Sequence, residues 1–153
     1  GFSTDDKRIP DSFSIARERG IEFSFTPNEI ETEVHPNTVD IAMTGSSGRR
    51  MTVRGESLGG GKIRITRINQ AEVDFSGEYN TLIVIQKDRQ GVIAHITGCL
   101  SKANVNIAFL KLFREAKGST AYSIVEFDGS LPEGIPDEIR KNPNVKDVML
   151  IEL

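Results

Sequence analysis

Several short stretches of this 153-residue chain carry residue types at spacings that chemistry can use. In Gly59-Gly60-Gly61-Lys62, glycine-rich backbone can turn several N–H groups toward one anion, with an ammonium beside them. It is not a Walker loop: Glu56 stands where the first glycine belongs, and Ile63 where Ser or Thr belongs. Two readings stay open, a tight inter-strand loop at positive φ or a loop that also touches a ligand or partner chain. His35-Pro36-Asn37-Thr38 offers a switchable donor, a fixed backbone and an amide that both donates and accepts. It reads equally as punctuation before a strand, with Asn37 satisfying its own backbone. Asp88-Arg89-Gln90-Gly91-Val92 opens a helical pattern, where free N–H groups suit a ligand carboxylate. The plain alternative is a turn with Asp88 as the N-cap. His95 and Cys99 lie four apart and share a helix face, but a metal site needs two more ligands and none is evident. Packing is expected there, and no metal is assigned. Arg49, Arg50 and Arg54 read as a solvated face rather than an anion site. With two histidines and no Ser in a nucleophile elbow, no catalytic residue is assigned.

The elements that must position these residues follow from periodicity. Asp11-Ser12 is placed to cap a short helix through Arg19, with Gly20 ending it. Ile21, Phe23 and Phe25 alternate with polar residues as a half-buried strand would. Val39, Ile41 and Met43 alternate up to the turn Gly45–Gly48, and Met51 and Val53 continue on the return strand. Lys62–Ile68 is a further alternating run, and Val73 and Phe75 close the last strand before Ser76-Gly77. The first half is therefore expected to be a mostly antiparallel sheet with one face buried.

After Tyr79 the texture changes. Leu82-Ile83-Val84-Ile85 is continuously apolar, as in a strand covered on both faces. Val92, Ile93, Ile96 and Leu100 then follow helical spacing, and Val105–Leu112 is a strand with an irregularity near Leu110. Ala121–Phe127 is another strand. A short helix lies between Pro132 and Lys141, and Val145–Ile151 is the last strand. The order is βαββαβ, the ferredoxin-like arrangement. The fold class is α+β, with a domain over 1–76 and a second over 77–153.

Bulk properties exclude some classes. A net charge of −3 gives no global case for nucleic-acid binding. No apolar run is long enough for a membrane helix, and no signal-peptide core follows Gly1. The lone Cys99 cannot form an internal disulfide, which points to a reducing compartment, and the cytoplasm is expected. The missing initiator Met points to a truncated or processed chain.

Two resemblances sharpen this reading. Leu82–Gln86, Asp88–Ile93 and Ala103-Asn104-Val105-Asn106-Ile107 resemble an ACT domain, in which Asp-x-Pro-Gly commonly follows the first strand and Gly/Asn-x-Asn-Ile leads into the second. Gln90 replaces the usual Pro. The resemblance implies homodimerisation through this domain. It also implies an amino-acid effector held between two copies by Asp88, Gln90, Gly91 and Val92, with the loop at Asn104 and Asn106. Further, Asp6–Pro10, Ile15-Ala16-x-x-x-Gly20-Ile21-x-Phe23, His35–Thr38 and Ser57–Ile63 together resemble the β chain of iron–sulfur-dependent L-serine dehydratase. In that family the first half belongs to an allosteric substrate-binding domain, also found in some D-3-phosphoglycerate dehydrogenases.

The second resemblance implies a non-catalytic regulatory and assembly subunit, inactive alone. Its partner α chain would hold a [4Fe–4S] cluster and convert L-serine to pyruvate and ammonia. One cysteine cannot hold such a cluster, so no cofactor is expected in this chain. His35, Asn37, Gly59, Gly60, Gly61 and Lys62 become contacts to partner or ligand. Full-length β chains begin with a Ser-rich, His-containing segment not found here, so the first domain is expected to be partial. Alternatives are the regulatory tail of a D-3-phosphoglycerate dehydrogenase, whose core would need a G-x-G-x-x-G turn not found here, and a free-standing amino-acid sensor.

Overall fold

The computed structural model describes residues 2–3, 5–28, 31 and 33–152, and the chain forms two compact units, residues 1–34 and 35–153. In the first, a 3-10 turn over Ile9–Asp11 with Pro10 near its start leads into helix α1, Ser12–Glu18. The expected cap is absent in its side-chain form: Asp11 sits at the N-cap but makes no side-chain hydrogen bond to the helix. Gly20 does end the helix, at φ +73°, and the Ile21 N–H donates to the Ala16 carbonyl at 2.9 Å. Residues 21–28 are not a strand, which corrects the reading of Ile21, Phe23 and Phe25. The rings of Phe13, Phe23 and Phe25 instead meet one another at centroid distances of 5.1, 5.4 and 5.8 Å. Alternation records which side chains seek apolar company; it does not supply a ladder partner.

The second unit holds two four-stranded antiparallel sheets. The first is a meander, β1 (Thr38–Thr44), β2 (Arg50–Gly59), β3 (Lys62–Ile68) and β4 (Ala71–Ser76), paired in chain order. Gly45–Gly48 makes the expected β1–β2 turn, closed by Gly48 N–H to the Gly45 carbonyl at 2.9 Å. Register shifts between Arg54 and Gly55, and between Ile65 and Arg67, bend the sheet.

The second sheet contains β5 (Asn80–Lys87), β6 (Ile107–Arg114), β7 (Thr120–Phe127) and β8 (Val145–Ile151), in the order β6-β7-β5-β8. Helices α2 (Val92–Lys102) and α3 (Ile135–Arg140) complete the expected βαββαβ path. The β6 irregularity falls between Ile107 and Phe109, slightly earlier than its sequence suggests.

Two cores explain the continuous apolar run in β5. On one face Leu82 and Val84 pack with Val92, Ile96 and Leu100 of α2, Ile139 of α3, and Val125, Phe127 and Val148. On the other, Ile83, Tyr122 and Ile124 pack with Ile68, Ala71, Val73 and Phe75 of the first sheet. Fully burying one such aliphatic side chain contributes about 1.5–3 kcal/mol, so each core stabilises the sheet they share.

The first sheet is thus covered mainly where β4 lies against β6 and β7. Val39, Ile41 and Met43, on the strand farthest from β4, remain 44–53% exposed, which limits the expected burial of one whole face to the β3–β4 side. Polar clasps tie the sheets at their rim. The Tyr122 hydroxyl donates to Glu115 at 2.9 Å and accepts from the Asn69 amide at 3.2 Å. The 76/77 division falls at the crossing from β4 to β5, and we keep it as a proposal about which segment carries which role.

Candidate functional site

The turn after β5 is built by a carboxylate that works sideways. Asp88 accepts the Gly118 N–H at 2.9 Å and pairs with Arg114 at 3.3 Å, while its own N–H donates to the Ser119 carbonyl at 2.8 Å. It therefore fastens the β5–α2 turn to the β6–β7 hairpin and does not cap α2. The N-cap of α2 is Gly91, at φ +83°, with no side-chain cap bond. A left-handed backbone there favours glycine. The first intrahelical bond runs from His95 N–H to the Gly91 carbonyl at 3.0 Å, so the N–H groups of the first turn point out of the helix.

A cavity of about 460 Å³ opens at this point, lined by Gln86, Asp88, Gln90, Gly91, Arg114 and Gly118 among others. The site can therefore present backbone donors and a helix dipole to an anion, beside the Arg114 guanidinium. Gln86 is almost wholly buried and accepts a hydrogen bond from the Ser123 hydroxyl at 3.2 Å. A polar residue in the covered run after Leu82-Ile83-Val84-Ile85 is the signal that would have found it. Nothing local marks Arg114 or Gly118, because β-sheet pairing brings them there.

Of the six effector residues expected from sequence, Asp88, Gln90 and Gly91 come together. Val92 is fully buried in the core and does not line this cavity. Asn104 and Asn106 lie at the other end of α2, roughly 16 Å away along an 11-residue helix. Asn104, at φ +55°, turns the chain after α2, and the Val105 N–H donates to the Leu100 carbonyl at 3.0 Å. Asn106 donates to the Asp128 carboxylate at 2.6 Å. Within one chain these two asparagines do not join the turn.

The other sequence-marked pair meets at one end of the first sheet. His35 Nδ1 accepts the Asn37 N–H at 3.2 Å, Thr38 Oγ1 donates to the His35 carbonyl at 2.6 Å, and the Asn37 carbonyl accepts the Ser57 N–H at 3.0 Å. Two residues on, Gly59, Gly60 and Gly61 run at φ +88°, +62° and +79° into Lys62, whose ammonium lies 3.8 Å from Glu78. Three successive left-handed residues require glycine whatever else the loop does.

The arginines are largely engaged. Arg54 holds Asp40 through two bonds and Arg67 adds a third, and the Arg54 bond holds the Asp40 carboxyl below the usual range. Arg49 pairs with Asp147. His95 Nε2 lies 3.1 and 3.2 Å from the Glu138 and Ile139 carbonyls and 3.8 Å from Cys99 Sγ, so this ring nitrogen serves α2–α3 packing.

Comparisons with known proteins bear on this geometry. No family profile matches the chain. A probable L-serine dehydratase β chain from Bacillus subtilis is 34% identical over 150 residues, 98% of this chain and 67% of that one. The L-serine dehydratase β chain of Peptoniphilus asaccharolyticus is 32% identical over 91% of this chain and 63% of its own length. This chain therefore spans about two thirds of the length of these relatives. A D-3-phosphoglycerate dehydrogenase of Bacillus subtilis is 30% identical over 91% of this chain but only 26% of that enzyme. Among solved structures, the ACT domain from the GTP pyrophosphokinase of Chlorobium tepidum covers 47% of this chain, with a TM-score of 0.39 and 23% identity. From the extent and level of the first match, this chain belongs to the L-serine dehydratase β-chain family.

Proposed function

We propose that this chain is the regulatory and assembly subunit of an L-serine dehydratase, sensing an amino acid at the turn after β5 while a partner α chain converts L-serine to pyruvate and ammonia. The observation that carries the reading is the open start of α2 above a cavity of about 460 Å³, with Asp88 committed to Gly118 and Arg114, in a chain of this family. A carboxylate fits the backbone donors at Gly91 and beyond, next to Arg114.

The site is completed by a second copy. β6 is an outer edge of its sheet, and Phe109, Leu110 and Leu112 on it are 40–48% exposed. An unpaired apolar edge is a template for pairing. If β6 pairs antiparallel with its own copy, the Ile107 end of one strand meets the Arg114 end of the other. Asn104 and Asn106 of one chain then approach the Asp88–Gly91 turn of its neighbour. Occupancy of that interface would bias assembly with the α chain, which is allostery if each ligand changes the other's affinity.

The reactive iron belongs to the partner in this reading. A [4Fe–4S] cluster takes several thiolates, and this chain has one cysteine, packed against His95. The donor set does not fit the cluster. On the same grounds the chain is proposed to be inactive alone and to act in the cytoplasm. The match to a segment of a D-3-phosphoglycerate dehydrogenase supports a second reading, a regulatory tail, but at lower identity and over a quarter of that enzyme.

The test is co-expression with a candidate α chain, followed by an anaerobic assay of pyruvate from L-serine. Co-purification with activity above that of the α chain alone supports the subunit reading, and full activity in an unassociated α chain defeats it. Calorimetric titration with L-serine tests the sensing arm: no heat and no thermal shift would leave the second sheet as a dimerisation device only.

A further inference from the structure

We propose that a second cavity, between the two sheets of residues 35–153, binds an α-amino acid with an apolar side chain, its ammonium on Glu126 and its carboxylate on Lys111. This cavity is separate from the turn at Asp88, and the proposal does not depend on the function assigned to that turn. Its volume is about 370 Å³, in the range that small-molecule sites occupy.

Glu126 is the reason to expect a cation. Its side chain lines the cavity, the residue is 3% exposed, and among the described residues its one partner is the Ser76 hydroxyl at 3.2 Å. Two carboxylate oxygens accept about four hydrogen bonds, so most of the capacity of this buried group is unspent. A buried carboxylate with so little compensation is costly, and a charged donor removes the cost. The surrounding surface suits an ammonium with an apolar body. Tyr79 and Phe109 meet edge to face at 5.6 Å and line the cavity with Phe75, Leu58 and Ile63. Aromatic faces attract a cation, and the aliphatic walls accept an apolar side chain.

The opposite charge lies a short step away. Lys111 donates to the Asp74 carbonyl at 2.6 Å and reaches the Asp74 carboxylate at 3.3 Å, while Arg64 donates to that carboxylate at 2.9 Å. Two cations share the Asp74 carboxylate and the Lys111 ammonium keeps a third donor, while Glu78, which also lines the cavity, lies 3.8 Å from Lys62 outside it. Glu126 is paired with Phe109 across the β6–β7 ladder, and Lys111 is two residues farther along the same strand. Both side chains therefore rise from the same face of the sheet and line the one cavity. The glycine turn Gly59–Gly61 adjoins the cavity through Leu58 and Ile63, so the loop marked by sequence borders its mouth.

The experiment is an amide-resolved NMR titration of the full 153-residue chain with L-leucine, L-phenylalanine, L-serine, 3-methylbutylamine and 4-methylpentanoate. L-Leucine or L-phenylalanine should give saturable shifts at Ser76, Tyr79, Phe109, Lys111 and Glu126. The amine should bind more weakly at the same residues, and the acid lacking an amine should not bind. Glu126→Gln preserves shape and should weaken the amino acid about ten- to hundredfold, as loss of a charge-assisted bond does. Lys111→Met, on the edge strand, is a second variant and should bring amino-acid affinity down to that of the amine. Asp88→Asn should leave these shifts unchanged. The proposal is overturned if neither apolar amino acid saturates by about 20 mM, beyond the millimolar range of weak effectors. Shifts confined to residues 88–93, or undiminished binding in both the Glu126→Gln and the Lys111→Met protein, overturn it equally.

Discussion

Replacing Asp88 by alanine should destabilise the chain by about 2–3 kcal/mol, and the size follows from what the carboxylate holds. Its bond from the Gly118 N–H, at 2.9 Å, is a charged-acceptor bond of a class that contributes about 1.5–3 kcal/mol. The Arg114 pair is longer, at 3.3 Å, and the arginine side chain is 53% exposed, so solvent screening holds its share below about 1 kcal/mol. Asparagine keeps an acceptor for Gly118 and loses only the charge, so Asp88→Asn should cost about 1 kcal/mol. Urea unfolding of the two variants reads these differences directly, and the alanine protein should melt about 4–10 °C lower. Calorimetry at the turn should also show weakened effector binding in the alanine variant, because Gly118 and Arg114 lose their shared anchor. An alanine variant within about 0.5 kcal/mol of the parent would refute the claim that Asp88 organises the turn. Asparagine costing more than alanine would refute it too, by showing that an acceptor kept for the Gly118 N–H contributes nothing.

Leu112→Lys on β6 should shift the chain toward monomer in sedimentation equilibrium, since it charges an edge proposed to pair with its own copy. An unchanged dimer would place the interface elsewhere. Gly60→Ala should cost about 1 kcal/mol despite open space around its Cβ, because the cost lies in φ +62°; equilibrium unfolding reads it. Stability should fall in acid. Asp40 and Asp74 are held below the usual carboxylate range, by Arg54 and Arg64 respectively as the leading causes, so each adds stability that is full above about pH 4 and lost as pH falls through its lowered folded-state value. The Asp40→Asn chain should show a shallower acid limb in a pH series of urea midpoints. Ile96→Ala, at a fully buried position of α2, should destabilise by about 2–5 kcal/mol in the same assay without altering the acid limb.

Much of the second sheet is legible in the sequence. The run Leu82-Ile83-Val84-Ile85 demanded cover on both faces, and two separate cores supply it. Gly91 marks the start of α2 in the sequence as in the structure, since the demand for a left-handed residue is local. The Ile21–Phe25 alternation misled because a strand exists only against a partner, and the three rings found one another first. Asp88 misled for a related reason. An N-cap is a local bond, whereas the bond it makes reaches 30 residues ahead to Gly118.

Nothing in the sequence marks Glu126. In the run Ala121–Phe127 every residue is buried, so no alternation separates a polar outlier from its neighbours. What the sequence determined by itself was therefore the short-range part: helix starts, positive-φ glycines, the βαββαβ order and the family. Only the tertiary structure decided that β4 lies across β6 and β7, which seats Glu126 and Lys111 at one cavity and leaves β6 as an open edge. The physical reason is range. Dihedral preferences and periodicity act over a few residues, while burial and charge compensation depend on which distant strands come to lie against one another.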